Sequence, residues 1–268
     1  MRLGLSSFIY RYAIRGAPGL AKPLTAPDLL NRAAALGVDA VQFCENLPLL
    51  ALTAAERQAL LDTSTRLGVA IEIGTRGLNI TVVLAHLDLA ATVGSRALRL
   101  VLDTTDLDVI REALRPVLRS CREREVTLVI ENHFDLPTPA LAELVRRLDD
   151  PWLGVCLDTA NSTGHLEQLA ETLAVLHPYV RQVHLKDYSV EKATIGYRIT
   201  GRPLGQGSLD SAAVLRAVMA KTPPPDLFLE QWMPPEESLE ETLAQERDWV
   251  ERSVRTARSY LAALPERL

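Results

Sequence analysis

Short runs of apolar residues recur along the chain, mostly about 25 to 35 residues apart, which is the length of one strand–helix unit. Most of these runs are rich in Val, Ile and Leu, and polar and apolar positions do not alternate within them. That pattern is typical of parallel strands that are buried on both faces. The runs predicted to be strands are Arg2–Ser6, Ala40–Cys44, Ala70–Ile73, Ala97–Leu102, Val126–Ile130, Leu153–Leu157, Val180–Leu185 and Leu227–Leu229.

The segments between these runs carry apolar residues three and four positions apart, which is the spacing of one helix face. One helix start is also marked by a capping-box pattern, Thr53 with Glu56 three residues later. The predicted helices are Ala26–Leu36, Ala54–Leu67, Val82–Val93, Leu107–Arg124, Ala140–Leu148, Leu166–Leu176, Ser211–Met219 and Leu239–Leu261.

A strand followed by a helix, repeated eight times with right-handed crossovers, closes most simply into a (β/α)₈ barrel. We therefore predict an α/β protein with a single TIM barrel domain over residues 1–268, a length that suits such barrels. The alternative is a doubly wound open sheet, which requires a glycine-rich turn after the first strand; the segment Ser6–Tyr10 does not provide one. The loops Arg15–Lys22 and Val190–Gly207 are long for a compact barrel and are predicted to be lids or binding elements.

Charge and composition exclude several classes of protein. The net charge of −5 argues against binding to nucleic acid, because nucleic-acid-binding domains carry clustered Lys and Arg. No apolar stretch approaches the roughly 18 residues of a membrane span, and Met1–Leu5 is too short for a signal peptide. The cysteines, Cys44, Cys121 and Cys156, are odd in number and far apart, so no disulfide framework is expected. These features predict a cytoplasmic protein that acts on a small molecule.

Ionisable side chains follow, or lie within, four consecutive apolar runs near their C-terminal ends. They are Glu131, Asp158, His184 and Glu230. In a (β/α)₈ barrel these strand ends form the active-site face. One carboxylate that ends a strand is usually a solvated rim residue, and one histidine in an apolar run is more often a hydrogen-bonded core residue. Several ionisable side chains at one end of a barrel need another explanation, because crowded carboxylates repel each other unless a cation lies between them.

A divalent metal ion would remove that repulsion. Three carboxylates and one imidazole form a mainly hard-oxygen site, which suits Mn²⁺, Mg²⁺ or Co²⁺ better than a thiolate-preferring metal. We therefore predict one divalent ion, with Mn²⁺ as the first choice, bound by Glu131, Asp158, His184 and Glu230.

The motifs around these residues are IENH, LDTAN, HLKD and LEQW, with GRPLGQGSLD between the last two. Together they resemble the xylose isomerase-like barrel superfamily of sugar isomerases and epimerases. The resemblance implies metal coordination by the residues named above and a second role for Glu131 and Glu230 as acid–base groups. Asn161 stands where a histidine is common in the family, and Gln206 stands where a glutamate is common. The oligomeric state stays open, although dimers and tetramers are frequent in the superfamily and a homo-oligomer would fit.

The expected chemistry follows from this site. An α-hydroxy ketone, either a sugar or a keto-acid, would chelate the metal through its carbonyl and hydroxyl oxygens, which acidifies the adjacent C–H. One of Glu131 and Glu230 would remove the proton, the metal would stabilise the enediolate, and the other glutamate would return a proton. The predicted function is therefore a metal-dependent isomerase or epimerase.

Five further side chains at the same rim are candidates for substrate binding. His133 and Asn161 follow the first two ligands, Lys186 follows the histidine ligand, Arg76 follows the third strand, and Arg202 lies in the long loop after the seventh. Arg76 could bind an anionic group such as a carboxylate, and the alternative is a salt bridge to a neighbouring loop. The simpler interpretations of His133 and Arg202 are a loop histidine and a solvated arginine.

Three other functions are open. The first is a lyase, such as a dehydratase of a keto-sugar or keto-cyclitol, which uses the same metal and enolate chemistry but releases water. The second is an apurinic-site endonuclease of the same superfamily, which needs three metals and early histidines, whereas this chain has only His86 before the fifth strand, on a helix. The third is a binding module without catalysis, and the presence of all the ligand-type residues argues against it.

Overall fold

The computed structural model describes residues 1–14 and 19–264. The strands of this part are β1 (Leu3–Ser6), β2 (Ala40–Phe43), β3 (Ala70–Arg76), β4 (Ala97–Val101), β5 (Thr127–Glu131), β6 (Leu153–Asp158), β7 (Val180–Leu185), β8 (Asp187–Lys192), β9 (Tyr197–Arg202) and β10 (Asp226–Leu229). Its helices are α1 (Arg11–Ile14), α2 (Ala26–Ala35), α3 (Ala54–Leu67), α4 (Ile80–Thr92), α5 (Leu107–Arg124), α6 (Thr138–Leu148), α7 (Leu169–Leu176), α8 (Ser211–Met219) and α9 (Leu239–Ala262).

Eight of these strands form a closed parallel barrel in the order β1-β10-β7-β6-β5-β4-β3-β2, which confirms the predicted (β/α)₈ fold. The register aligns the C-terminal ends of the second half of the barrel. Glu131 pairs with Cys156 across β5 and β6, and Asp158 pairs with His184 across β6 and β7. The side chains that follow these strands therefore come out on one face of the barrel.

Helix starts follow the local sequence signals. The predicted capping box is present at α3, where the Glu56 carboxylate accepts a hydrogen bond from the Thr53 N–H at 2.7 Å. Apolar residues of the helices, such as Leu114 and Leu118 in α5, are buried in one core with the outward-facing residues of the strands. Within the described ranges, no helix combines the length and the apolar character needed to cross a bilayer.

The barrel interior is unusually polar. Barrel interiors are commonly filled by layers of branched apolar side chains. Here the side chains of Gln42, on β2, and Gln182, on β7, meet at 3.0 Å although these strands are not neighbours, so they meet inside the barrel. Gly74 makes room for another polar group, since a Cβ atom there would lie 2.8 Å from Sγ of Cys44 and 3.3 Å from Cδ of Arg99.

Part of the predicted long loop Val190–Gly207 is regular structure. β8 and β9 pair as an antiparallel hairpin outside the barrel, with Lys192 opposite Tyr197 and Gly196 at a φ of 81° in the turn. Two short strands therefore extend into the segment that was predicted to be one long loop, and its role as a lid or binding element stays a prediction. Part of the other predicted loop, residues 15–18, lies outside the described residues. The three cysteines are buried and unpaired, as expected.

Candidate metal centre

The side chains expected to bind metal meet at the C-terminal end of the barrel. Glu131 and Asp158 end β5 and β6, whereas His184 lies one residue before the end of β7 and Glu230 directly follows β10. The Nδ1 atom of His184 lies 3.1 Å from Oε2 of Glu230, 3.4 Å from Oε2 of Glu131 and 3.9 Å from Oδ2 of Asp158. No more than 8% of any of these side chains is exposed, so the cluster is largely shielded from water.

Three atoms of this cluster are buried and lack a hydrogen-bond partner: Oδ2 of Asp158, Nδ1 of His184 and Oε2 of Glu230. Buried polar atoms nearly always have a hydrogen-bond partner, so three atoms that face one another without one need an explanation. They lie within 4.8 Å of one another. Neighbouring ligands of an octahedral Mg²⁺ ion bound at 2.0–2.1 Å are about 3 Å apart. The donor set and its spacing therefore fit a small divalent ion.

Asp158 is held so that one of its oxygens points into the cluster. Its Oδ1 atom accepts hydrogen bonds from the backbone N–H groups of Ala160 and Asn161, both at 2.9 Å. The Asn132 side chain fixes the backbone on the other side: it accepts from the Asp158 N–H at 2.7 Å and donates to the Asp158 carbonyl at 2.9 Å. Oδ2 is therefore left to face cations.

Lys186 places an ammonium group at the edge of the cluster. Its Nζ atom lies 2.8 Å from Oδ2 of Asp158, 2.9 Å from Oε1 of Glu230 and 3.3 Å from Oδ1 of Asn161. The contact with Asp158 is a buried ion pair. Burial alone would lower the pKa of Lys186, but the charges of Asp158 and Glu230 outweigh burial and raise its pKa. The group is therefore a cation at neutral pH.

Glu131 is engaged at both of its oxygens. Oε2 accepts a hydrogen bond of 2.5 Å from Nε of Arg99, and Oε1 accepts one of 2.8 Å from Nδ2 of Asn161. The Arg99 guanidinium also pairs with Glu45 at 3.0 Å, nearer the rim. Burial alone would raise the pKa of Glu131, but the positive charges of Arg99 and His184 outweigh it and hold the pKa below its ordinary value.

The other two carboxylates differ in their electrostatic surroundings. Burial, together with the negative charges of Glu131 and Glu230, raises the pKa of Asp158 despite the nearby Lys186. Burial alone would raise the pKa of Glu230. The charges of Lys186 and His184 outweigh burial and hold the pKa of this carboxyl well below its ordinary value. A divalent ion would compensate the repulsion that remains around Asp158.

A thiol lies close to the same cluster. Ligand atoms of Glu131, Cys156 and His184 also lie within 4.8 Å of one another. Burial raises the pKa of the Cys156 thiol. Because the thiolate is the form that binds metal, a thiol with a raised pKa is a poor ligand at neutral pH. The oxygen-rich set with Asp158 and Glu230 is therefore the better candidate.

A cavity of about 170 Å³ lies next to the cluster and is lined by Glu131 and Glu230. Cationic residues of its wall include Arg11, Arg76 and Lys186, and its aromatic residues include Phe134 and Trp232. A larger hollow of about 500 Å³ lies between α2 and α9. The smaller cavity is the better candidate for catalysis, because Glu131 and Glu230 of the cluster line it.

The weaker candidates His133 and Arg76 both line this cavity. Nδ1 of His133 lies 3.6 Å from Oδ2 of Asp135, and burial is the main cause that lowers the pKa of this histidine, so its ring is neutral at pH 7. Arg76 pairs with the same Asp135 carboxylate at 3.1 Å, and 43% of the Arg76 side chain is exposed. Arg76 thus makes the salt bridge to a neighbouring loop and also faces the cavity.

Asn161 and Lys186 contact the ligand cluster directly, as described above, whereas Arg202 does not line the cavity. Arg202 belongs to β9 and forms an ion pair with Glu191 across the hairpin. Arg202 therefore lies outside the candidate site in this structure, and its contact with substrate stays a prediction.

Several residues of the site were not predicted from the sequence. Arg99 and Asn132 hold two of the ligands, and Arg11 lines the cavity from α1. A signal for Arg99 existed, since an arginine in the middle of the apolar run Ala97–Val101 must be paired when the strand is buried. Asn132 gave a weaker signal, because an amide beside a strand end is common in loops.

Comparison with known proteins agrees with this architecture. The chain belongs to the xylose isomerase-like TIM barrel family, whose model matches residues 30–253. It is 27% identical over 260 residues to the 3-oxo-isoapionate decarboxylase of Pectobacterium atrosepticum, and this match covers 95% of the chain and 94% of that protein.

Solved structures share the fold at low sequence identity. A xylose isomerase-like TIM barrel protein from Mycobacterium smegmatis in complex with magnesium has a TM-score of 0.73 at 18% identity, covering 96% of this chain and 97% of that one. D-Psicose 3-epimerase from Clostridium cellulolyticum H10 with D-tagatose has a TM-score of 0.71 at 12% identity, covering 98% and 97%. These two structural similarities establish the fold but not the function.

Proposed function

We propose that this protein is a divalent-metal-dependent enzyme that forms an enediolate from a small hydroxy-keto substrate. The observation that carries the proposal is the convergence of ligand atoms of Asp158, His184 and Glu230 that lack a hydrogen-bond partner, next to a cavity that Glu131 and Glu230 line. When bound there, a divalent ion would act as a Lewis acid on the carbonyl and hydroxyl oxygens of the substrate and make the neighbouring C–H acidic. Mn²⁺ is the first candidate, and Mg²⁺ and Co²⁺ fit the same donors.

The side chains around the cluster are placed to move protons. Oε1 of Glu230 faces Lys186 at 2.9 Å at the edge of the cavity, so Glu230 can remove the substrate proton while the ammonium group stabilises the negative charge that develops. Glu131 is the second acid–base group. A proton returned to the opposite face of the same carbon gives an epimer, and one returned to the neighbouring carbon gives an isomer. The proposed reaction is therefore isomerisation or epimerisation of a sugar or keto-acid.

Decarboxylation is a second candidate, and the cationic wall of the cavity favours it. Arg11, Arg76 and Lys186 suit a substrate carboxylate, and the full-length relative is named as a decarboxylase. In a 2-hydroxy-3-oxo acid, the bond between the carboxylate carbon and C2 would break, carbon dioxide would leave, and the electron pair would form an enediolate. One proton returned to C2 completes the reaction. A single acid suffices, which fits a site where Arg99 and Asn161 occupy both oxygens of Glu131.

One experiment distinguishes these reactions. The Mn²⁺-loaded enzyme is incubated in D₂O with a panel of ketoses and hydroxy-keto acids, and product mass, deuterium content and released carbon dioxide are measured. An isomerase or epimerase gives a product with deuterium next to the carbonyl and no loss of carbon, whereas a decarboxylase releases carbon dioxide.

Variants at two glutamates test the assignment of the proton-transfer group. Glu230→Gln should abolish turnover with the fold intact, whereas Glu237→Gln, at an exposed glutamate of the following loop, should leave it unchanged. A Glu230→Gln variant that turns over substrate at the wild-type rate would remove Glu230 from the mechanism.

A further inference from the structure

We propose that Gln42 is a positioning residue for the metal site, which holds the His184 ring so that Nδ1 faces the three carboxylates. This inference rests on the proposed metal site. Gln42 lies inside the barrel on β2, and its Oε1 atom is 2.7 Å from Nε2 of His184. Its Nε2 atom donates to Oε1 of Gln182 at 3.0 Å, and Nε2 of Gln182 lies 3.4 Å from Oε2 of Glu72. All four side chains are buried.

Glu72, at the end farthest from His184, sets the direction of the hydrogen bonds in this chain. An ionised carboxylate only accepts hydrogen bonds, so Gln182 must turn its NH₂ group towards Glu72. Oε1 of Gln182 then faces Gln42 and requires the NH₂ group of Gln42. The remaining oxygen of Gln42 therefore points at His184, whose Nε2 atom must be the donor. In the neutral ring, which is the form that binds a metal ion, Nδ1 is left with a free lone pair on the side of the metal ligands.

Glu72 is fixed as an acceptor by its other neighbours. It forms an ion pair with Arg2, and it accepts hydrogen bonds from the hydroxyl of Ser95 at 2.8 Å and from the backbone N–H groups of Arg96 and Ala97 at 3.0 and 3.1 Å. Every one of these groups is a donor. Glu72 therefore anchors the hydrogen-bonded chain at the N-terminal end of the barrel, opposite the cavity, and can only accept hydrogen bonds.

This arrangement explains why the amide side chains of Gln42 and Gln182 lie in the barrel interior, which apolar side chains commonly fill. The ring of a metal-binding histidine is usually oriented by a hydrogen bond to its second nitrogen, and loss of that partner typically weakens metal binding about 10- to 100-fold. Gln42 supplies this partner, and Gln182 and Glu72 keep its amide from turning over.

The test measures Mn²⁺ affinity by titration of the full-length protein. Gln42→Met keeps the length of the side chain and removes the acceptor, so affinity should fall about 10- to 100-fold. Gln182→Met should lower affinity by a smaller factor in the wild-type background and cause no further loss in the Gln42→Met background, because it acts through Gln42. Thr172→Val, a buried polar-to-apolar change in α7, should leave affinity unchanged.

A spectroscopic measurement separates positioning from general damage to the fold. In the Mg²⁺-loaded protein with ¹⁵N-labelled histidine, the Nε2–H proton of His184 should be protected from solvent exchange and should exchange faster in Gln42→Met. Unchanged Mn²⁺ affinity and unchanged exchange in Gln42→Met would overturn the inference. If that variant does not fold, the Gln182→Met variant decides, since unchanged affinity there also contradicts the inference.

The failure of this inference can be told apart from failure of the metal site itself. If the wild-type protein does not bind Mn²⁺, the proposed function is wrong and the inference falls with it. If the wild type binds Mn²⁺, Asp158→Asn does not, and Gln42→Met binds as tightly as the wild type, only the positioning role of Gln42 is wrong.

Discussion

Removal of the Arg99 guanidinium should destabilise the protein strongly when no metal is bound. Arg99 is 4% exposed in its side chain and lies 2.5 Å from a Glu131 side chain that is 1% exposed. Arg99→Met keeps much of the side-chain volume but leaves the Glu131 carboxylate without its nearest cation. Breaking a buried ion pair in this way destabilises a protein by about 3–5 kcal/mol, because the remaining charge stays buried and uncompensated.

The expected change is large enough to measure by thermal unfolding. In a chain of 268 residues, each kcal/mol shifts the Tm by about 2–4 °C, so Arg99→Met should lower the Tm by roughly 6–20 °C in the presence of EDTA. With saturating Mn²⁺ the difference from the wild type should shrink, because a bound cation compensates part of the Glu131 charge.

The nearby Arg96 provides a matched control. Its side chain is 65% exposed and lies 3.7 Å from Asp226. Exposed ion pairs contribute at most about 1 kcal/mol, so Arg96→Met should shift the Tm by no more than about 4 °C, with or without metal. The reasoning is refuted if Arg99→Met and Arg96→Met unfold at the same temperature in EDTA, or if Mn²⁺ leaves the Arg99→Met difference unchanged.

Three further predictions follow from the same structure. Asn132→Leu frees the backbone of Asp158 and should weaken Mn²⁺ binding about 10- to 100-fold in a titration; unchanged affinity would exclude the orienting role. Burial raises the pKa of Glu246 to about 7, so the folded state binds more protons than the unfolded state, and stability should fall by about 3 kcal/mol between pH 4.5 and 7. Urea unfolding against pH should show this fall in the wild type and a flatter profile in Glu246→Gln, and equal profiles would contradict it. If the substrate carries a carboxylate, Arg76→Met should raise KM about tenfold with little change in kcat, whereas an unchanged KM would exclude that contact.

The barrel was predictable because its strands are buried on both faces. Uninterrupted apolar runs such as Leu153–Leu157 mark such strands, and the structure has a strand over Leu153–Asp158. The hairpin was harder to find, because β8 and β9 lie outside the barrel and carry exposed apolar residues such as Val190 and Ile199. A strand that is not buried on both faces does not give the signal that identified the others.

The candidate ligands could be named because each lies at or near a strand end, and side chains converge there in this fold. Arg99, Gln42 and Gln182 stand in the middle of apolar runs, and the sequence shows only that each needs a partner. The identity of the partner depends on how strands that are not neighbours face each other across the closed barrel. That geometry is set by the stagger of the strands and is not readable from local spacing.

The measurement that tests the metal site most directly is Mn²⁺ binding by the wild-type protein and by Asp158→Asn. Asp158 is the best position, because its Oδ2 atom faces the cluster without a hydrogen-bond partner and it has no proposed part in proton transfer. The wild type and the exposed control Asp149→Asn should each bind one Mn²⁺ per chain, and Asp158→Asn should lose that binding. A wild-type protein that does not bind Mn²⁺, or an Asp158→Asn variant that binds it equally well, would contradict the site and the chemistry derived from it.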